Sequence, residues 1–394
     1  MARAMKDSGI AWIGEIAEDF EVIKLKYLCD ILDQYRSPIT ADQRNQDADV
    51  LYDYYGASGA IDKIDGYTID DHVMLIGEDG ANLRMRNLPL MYEVNGKAWI
   101  NNHAHILKPK SEADFYYLFY ALEALDLNTY ITGSAQPKLS QESLKNIWIP
   151  IPQYDTQKKI SSVIRKKCLD IDTLMEQTRA SIKEYNKLKQ AVITQAVTKG
   201  IRPNRPMKYS GIEWIGRLPE DWKVIRAKYC VEINNGSDPK TEGNIPVYGS
   251  GAASFKTCGE YKEGPCVLIG RKGATLHIPH YIEGKYWNVD TAFDVKTQKE
   301  YSLKYYYYAA CCFDYKLYIS QTTLPGMTQT NYENMFLPCP TPDQQQIIVD
   351  YLDNKLKDLD LLIQKKEQLL NGLDTYKKSL IFGYVTGKKA LGDD

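Results

Sequence analysis

Two short turns in this 394-residue chain carry opposite charges, Gly77-Glu-Asp-Gly80 and Gly270-Arg-Lys-Gly273. A glycine-bracketed turn after an apolar strand is where a backbone could cradle phosphate. The phosphate-binding P-loop, however, needs a longer spacing and a terminal Lys-Ser/Thr, and neither turn has them. Two readings stay open: a tight turn between strands, or a turn that touches DNA. Glu78 and Asp79 disfavour phosphate at the first turn, whereas Arg271 and Lys272 suit phosphates and guanine at the second. His103, His105, His277 and His280 have no cysteine partners at zinc spacing and read as structural or loop residues. His277 follows the basic turn closely enough to join a DNA contact. The sequence shows no glycine-rich S-adenosylmethionine motif, no Asn/Asp-Pro-Pro-aromatic methylation motif, no nuclease carboxylate–lysine cluster and no metal site. Catalytic residues are therefore expected to be none, and metal ligands none.

The elements that deliver these turns occur twice. Val73-Met-Leu-Ile76 and Cys266-Val-Leu-Ile269 are short apolar runs that predict buried strands. Lys6-Asp-Ser-Gly-Ile-Ala-Trp-Ile-Gly14 returns as Lys208-Tyr-Ser-Gly-Ile-Glu-Trp-Ile-Gly216. Asn146-Ile-Trp-Ile-Pro-Ile-Pro152 returns as Asn334-Met-Phe-Leu-Pro-Cys-Pro340, and Ala196-Val-Thr-Lys-Gly200 as Tyr384-Val-Thr-Gly-Lys388. The landmarks keep their order while the spacing between copies shrinks along the chain, so the second copy is shorter between landmarks. Trp222-Lys-Val-Ile-Arg226 reads as an opening strand, and Tyr116–Leu122 and Leu303–Ala310 as apolar helices rich in tyrosine. The modules are therefore mixed α and β.

Each module runs into a long helical pattern. From about Asp155 to Val197 there is no Gly or Pro, and from about Asp343 to Val385 there is no Pro. Thr341-Pro342-Asp343-Gln344 offers an N-cap, a first-turn proline and a capping-box glutamine, and Asp155 is expected to cap the first helix. Apolar residues follow heptads, predicting a seam through Ile164, Ile171, Leu174, Ile182 and Leu188 on one helix. On the other the seam runs through Leu352, Leu359, Leu362, Leu370 and Leu373. Mutual pairing is the simplest cover for two matching seams. A two-fold relation between the modules would make that pairing antiparallel, with the helices as a rod that fixes a spacing. Arg202-Pro-Asn-Arg-Pro206 is expected to be a stiff extended linker.

Composition narrows the partners. The chain is 44% hydrophobic, enough for real cores without disulfides or metals. Its formal net charge is −2, so any DNA contact must use local patches or a partner that neutralises phosphate, and the lone chain should bind DNA poorly. Its 8 cysteines include no C-x-x-C pair and read as free thiols in a reducing compartment. No apolar run reaches the roughly 18 residues of a membrane span, and charges interrupt the N-terminus where a signal peptide would need an apolar run. A soluble cytoplasmic protein is the expectation.

Three features together resemble the specificity subunit of Type I restriction–modification systems. They are Ser-Gly-Ile-Glu-Trp-Ile-Gly followed by Leu-Pro-Glu-Asp-Trp (Ser210 to Trp222), Ile149-Pro-Ile-Pro152 before a long helix, and the Val-Thr-Lys-Gly and Val-Thr-Gly-Lys helix ends. The resemblance covers essentially the whole chain. It implies an α+β fold with two mixed α/β target-recognition domains in tandem, each followed by a long helix, the helices pairing as an antiparallel coiled coil. The boundaries are then 1–152 and 201–340 for the two domains (the linker included in the second), 153–200 and 341–388 for the spacer helices, and 389–394 for a tail. Each domain would read one half of a gapped, asymmetric site in double-stranded DNA. The helices would set the gap and dock two methyltransferase subunits. Those partners, not this chain, would hold S-adenosylmethionine. Motor and nuclease restriction subunits would complete the complex in a bacterial or archaeal cytoplasm, with no membrane involved. A purely structural coiled-coil scaffold and an enzyme with an unrecognised site are the competing classes.

Two copies of one scaffold that read different half-sites should differ where bases are touched. The copies diverge after the opening strand, after the glycine turn and before the Pro-x-Pro segment. In the first module these stretches offer Arg36, Gln43, Arg44, Arg84 and Arg86, then Ser134, Gln136 and Lys138. In the second they offer Asn234, Asn235, Lys240, Arg271, Lys272 and His277, then Gln321, Thr322, Thr323 and Gln329. Arginine and lysine suit guanine and phosphate, and amides suit adenine.

Overall fold

The structure is a computed structural model and describes residues 3–44, 48–251, 253–298, 300–319 and 325–392. It divides into two compact units, Met1–Gln177 with Leu369–Asp394, and Thr178–Gln368. Compactness thus groups the end of the chain with its beginning, a division different from the linear one that the repeat suggests.

The first unit is built on a six-stranded sheet in the order Cys29–Ile31, Ala104–Pro109, Ile69–Gly77, Met91–Ile100, Tyr52–Gly56, Gly59–Ile64. All pairings are antiparallel except that of Tyr52–Gly56 with Met91–Ile100. The run Val73–Ile76 is apolar throughout because both its faces are covered. Met74 and Ile76 join the core under the helix Phe115–Glu123, while Val73 and Leu75 pack with Val94, Ile100 and Ile106 on the opposite face. Asp114 caps that helix by accepting from the Tyr117 amide.

The first long helix spans Tyr154–Lys199 and the second Pro342–Val385. In the first unit, Ile160, Ile164, Cys168 and Ile171 share one core with Leu380, Ile381 and Tyr384. Asp172 pairs with Lys377 at 2.6 Å. The Tyr117 hydroxyl lies 2.8 Å from the Pro150 carbonyl and 3.0 Å from that of Val385, so the end of one helix meets the start of the other. Antiparallel pairing follows. The Ala17 amide donates to the Thr386 carbonyl at 3.0 Å and Lys388 to that of Ile13 at 3.1 Å. At Gly387, φ is +71°, and a Cβ there would meet Ala17 at 2.5 Å, so only glycine lets the two ends of the chain close up.

The second unit repeats this plan with a shorter chain. Its strands form two four-stranded sheets, Val231–Asn235, Ala292–Thr297, Cys266–Gly270, His280–Ile282 and Lys256–Cys258, Ile245–Tyr248, Lys285–Asn288, Lys262–Glu263. Pro265 offers no ladder donor and Gly284 turns the chain, so strands continuous in the first module are interrupted here. The Tyr305 hydroxyl donates to the Val197 carbonyl at 3.0 Å, the counterpart of Tyr117 and Val385. Lys189 pairs with Asp360, and Lys366 stands over the Tyr185 ring at 5.7 Å, again an antiparallel run.

The capping box at Thr341 and Gln344 forms reciprocally, at 3.2 and 3.4 Å. Asp155 does not cap the first helix. It lies in the first turn, and the Gln153 carbonyl begins the helical bonding because the helix starts one residue before Asp155. The segment 201–204 bends instead of running extended, with Asn204 at φ +57°. Of the seam, Ile164, Ile171, Leu352 and Leu359 are buried, and Ile182, Leu370 and Leu373 are partly so. Leu174, Leu188 and Leu362 are exposed at 42, 45 and 41%, outside the seam expected of them. One facing helix covers only a narrow stripe, and the apolar heptad row is wider than that stripe.

Candidate nucleic-acid interface

The first-module turn is the centre of a charge network. Glu78 binds Arg36 and, at 3.1 Å, Lys138. His105, 1% exposed, places one ring nitrogen 2.7 Å from Asp33 and the other 2.9 Å from the Leu139 carbonyl. Burial alone would raise the carboxyl of Asp33, but the bond and charge of His105, the Ile106 amide and Arg36 hold it below its ordinary range. Glu78 is likewise pushed up by burial and pulled down further by Arg36 and Lys138. Asp79 meets His103 at 2.7 Å. Three segments distant in sequence, the 33–36 loop, the turn and the 138–141 stretch, are thereby fastened together.

Several residues expected to read DNA have internal work here. Arg36 spends its guanidinium on Glu78, Asp33 and nearby carbonyls. Arg86 binds the Leu125 carbonyl at 2.6 Å and also the Glu123 backbone and carboxylate, from a left-handed backbone at φ 51°. The structure gives Arg86 the task of clamping the end of the helix Phe115–Glu123, in place of a base contact. Arg84 is exposed and donates to the Gly133 carbonyl at 3.1 Å, which brings it beside Ser134, Gln136 and Lys138, all exposed.

A second feature is a cleft of about 510 Å³ between the 38–44 loop and the Asn101–His103 turn. Trp99 ties the loop down by donating to the Ser37 carbonyl at 2.8 Å. Gly56 lies against two of its lining residues; a Cβ there would come within 3.0 Å of Ile61 and 3.3 Å of Asn101. Arg44 lines the cleft but is held by Asp62 at 2.8 Å and stacked 4.2 Å from the Tyr54 ring. Gln43 lends its side-chain carbonyl to the Thr40 amide at 3.3 Å, and its NH2 group meets no partner among the described residues. Asn102 is exposed and makes no side-chain hydrogen bond among the described residues.

The second module rebuilds the same frame with other side chains. Trp287 donates to the Ser237 carbonyl at 2.7 Å, and Trp99 and Trp287 each sit in the one parallel strand pairing of their module. Gly249 takes the place of Gly56, beside Phe255 and Thr291. The basic turn is lightly engaged. Arg271 touches the Asp290 carbonyl at 3.5 Å and lies 5.7 Å from the Phe293 ring, and Lys272 is 3.9 Å from Asp290. His277 is exposed, as are Asn235 and Lys240, with Asn234 half-buried. Glu260 accepts from Thr241 and the Lys240 amide, which hold its carboxyl down to about 2 and pin that loop. Gln329 is spent on Glu333, one helical turn on. Gln321, Thr322 and Thr323 lie outside the described residues.

The cleft residues Ile61, Asn101 and Asn102, and Phe255 and Asp290 of the second module, escape a reading by gross mismatch. Their signal is local: Trp99-Ile-Asn-Asn-His103 faces Trp287-Asn-Val-Asp-Thr291, a shared tryptophan followed at once by divergence.

No group of three or more potential metal ligands occurs among the described residues, and no helix there is long and apolar enough to cross a membrane. Fold and site thus define a class: a duplicated α+β protein whose two modules share a frame and differ in the side chains it presents. The Type I restriction modification DNA specificity domain matches residues 17–184 and again 219–371. The chain belongs to that family and is a non-catalytic, DNA-recognising specificity subunit. It is 26% identical to a putative type I restriction enzyme specificity subunit of Methanocaldococcus jannaschii, over 95% of each chain. It is 29% identical to a putative specificity subunit of Haemophilus influenzae, over 36% of this chain and 35% of that one. A solved chain from a study of assembly and conformational transition in a type I restriction–modification system shares the fold. Its TM-score is 0.71 at 15% identity, over 95% of this chain and 99% of that one.

Proposed function

We propose that each module reads one half of a gapped, asymmetric site in duplex DNA, and that the long helices set the gap and dock two methyltransferase subunits. The observation that carries this reading is the pair of modules with one frame and two linings. A protein that recognised a palindrome would have no use for unlike linings. S-adenosylmethionine then belongs to the methyltransferase partners, and motor and nuclease subunits add restriction.

The helices support a docking role through apolar side chains that neither unit covers. Leu169, Leu174 and Tyr376 are 66, 42 and 51% exposed in the first unit, and Leu188, Leu361 and Leu362 are 45, 49 and 41% exposed in the second. Exposed apolar surface on paired helices invites further helices. The net charge of −2 agrees with a subunit that needs partners to neutralise phosphate. In the second module Arg271, Lys272 and His277 are the residues best placed to meet DNA, and in the first Arg84, Ser134, Gln136 and Gln43.

Mapping N6-methyladenine in a genome that expresses this chain with its methyltransferase tests the reading. A two-part motif with unlike halves is expected. A continuous or palindromic motif would sink it.

A further inference from the structure

The frame common to the two modules fixes position, and the side chains it carries fix chemistry. In each module a tryptophan anchors a loop to the corresponding edge, and a glycine stands where a Cβ would crowd neighbouring side chains. What stands on that frame differs sharply. The first-module cleft presents the side-chain amides of Gln43 and Asn102 beside the apolar groups of Ile39 and Ile61, with the Asn101 amide oxygen taken up by the His103 backbone. Its arginine, Arg44, is already shared between Asp62 and the Tyr54 ring and cannot offer a two-pronged donor to a base. In the second module Arg271 has, among the described residues, no carboxylate within ion-pair distance, and its contact with the Asp290 carbonyl is a single long one. Its amide donates to the Thr291 carbonyl at 2.8 Å, so the side chain starts beside the segment that follows Trp287.

Amide side chains match the donor–acceptor pair on the major-groove edge of adenine, and an apolar wall accepts the thymine methyl group. A free guanidinium matches the two acceptors of guanine. Resting on the half-site reading above, we infer that the first-module cleft reads an A·T pair through Gln43 and Asn102, and that the second module reads a guanine through Arg271 from the same frame.

The test maps methylated motifs for complexes that carry the wild-type chain, Gln43→Ala, Asn102→Ala or Arg271→Ala. Either amide variant should relax an A·T position in one half-site by on the order of tenfold or more, leaving the other half unchanged. Arg271→Ala should relax a G·C position in the opposite half. An unchanged motif in the amide variants, relaxation of a G·C position by Asn102→Ala, or all effects falling in one half would overturn the inference. A variant that lowers methylation everywhere is read instead by competition binding of the purified complex to duplexes altered one base pair at a time, where a wild-type preference profile would overturn it. Asn102 is exposed and makes no side-chain bond among the described residues, so its truncation should leave the fold intact. A wild-type complex with no two-part motif would defeat the half-site reading itself, an outcome separate from any of these.

Discussion

The glycine turns of the two modules occupy the same place and do opposite things. In the first, Glu78 is enclosed by Arg36 and Lys138 with the Asp33–His105 pair behind it, so charge is spent on holding the module together. In the second, the polar side-chain contacts of Arg271 and Lys272 among the described residues are long ones to Asp290, so charge is left for a ligand. The lesson is that a basic residue in a variable stretch is no reader of DNA until its acidic neighbours are known. Arg36 and Arg271 look alike in the sequence and differ in what surrounds them.

The largest break in that comparison should come from Glu78→Ala. It strands Arg36 with reduced compensation, and we expect a loss of about 2–3 kcal/mol in stability, less than a fully buried pair because Lys138 is half exposed. Arg271→Ala should change stability by no more than about 0.5 kcal/mol. Chemical denaturation of the full chain checks both, and equal losses would erase the distinction.

A smaller effect should show where the modules are alike. Tyr117→Phe and Tyr305→Phe each leave the carbonyl of Val385 or Val197 without its buried partner, and each should cost about 1–2 kcal/mol. A marked difference between the two would mean that the helix junctions are not equivalent.

Smaller again is Lys272→Ala in the assembled complex. A phosphate contact predicts uniformly weaker DNA binding and a salt slope reduced by about 1, with sequence preference unchanged. Altered preference would make Lys272 a base reader.

The smallest contrast is in pH. Burial holds His280 below its ordinary 6.5, so the unfolded chain takes up the proton first. Its contribution is intact above about 6.5 and is lost as pH falls below that value. Asp33 and Glu78 are held below their ordinary 3.8 and 4.5. Their contribution persists until pH falls through that carboxylate range. Hydrogen exchange read separately over Ala292–Thr297 and Ala104–Pro109 should therefore show the second module loosening first on acidification, and His280→Gln should remove that first phase. Simultaneous loosening of both strands would contradict it.

Much of the fold was legible because it repeats. The strands ending at Gly77 and Gly270, the tyrosine-rich helices and the capping box at Thr341 all follow from local pattern. The seam was half legible. Heptad spacing places Ile164 and Leu352 correctly, but it cannot say how wide a stripe the facing helix covers, and Leu174, Leu188 and Leu362 stay outside it. The site was least legible. Residue type marks Arg86 as a reader, whereas its role is set by carbonyls at Glu123 and Leu125, which only folding brings near.

The sequence by itself determined the duplication, the order of elements and the two oppositely charged turns, since these rest on neighbours along the chain. Tertiary structure alone decided which charges are free. An ion pair depends on distance in space, and Asp33, Glu78, His105 and Lys138 come from four separate segments. It also decided that the chain's end completes its first module, through Thr386 on Ala17 and Val385 on Tyr117. Those bonds join residues hundreds of positions apart, and no local pattern encodes them.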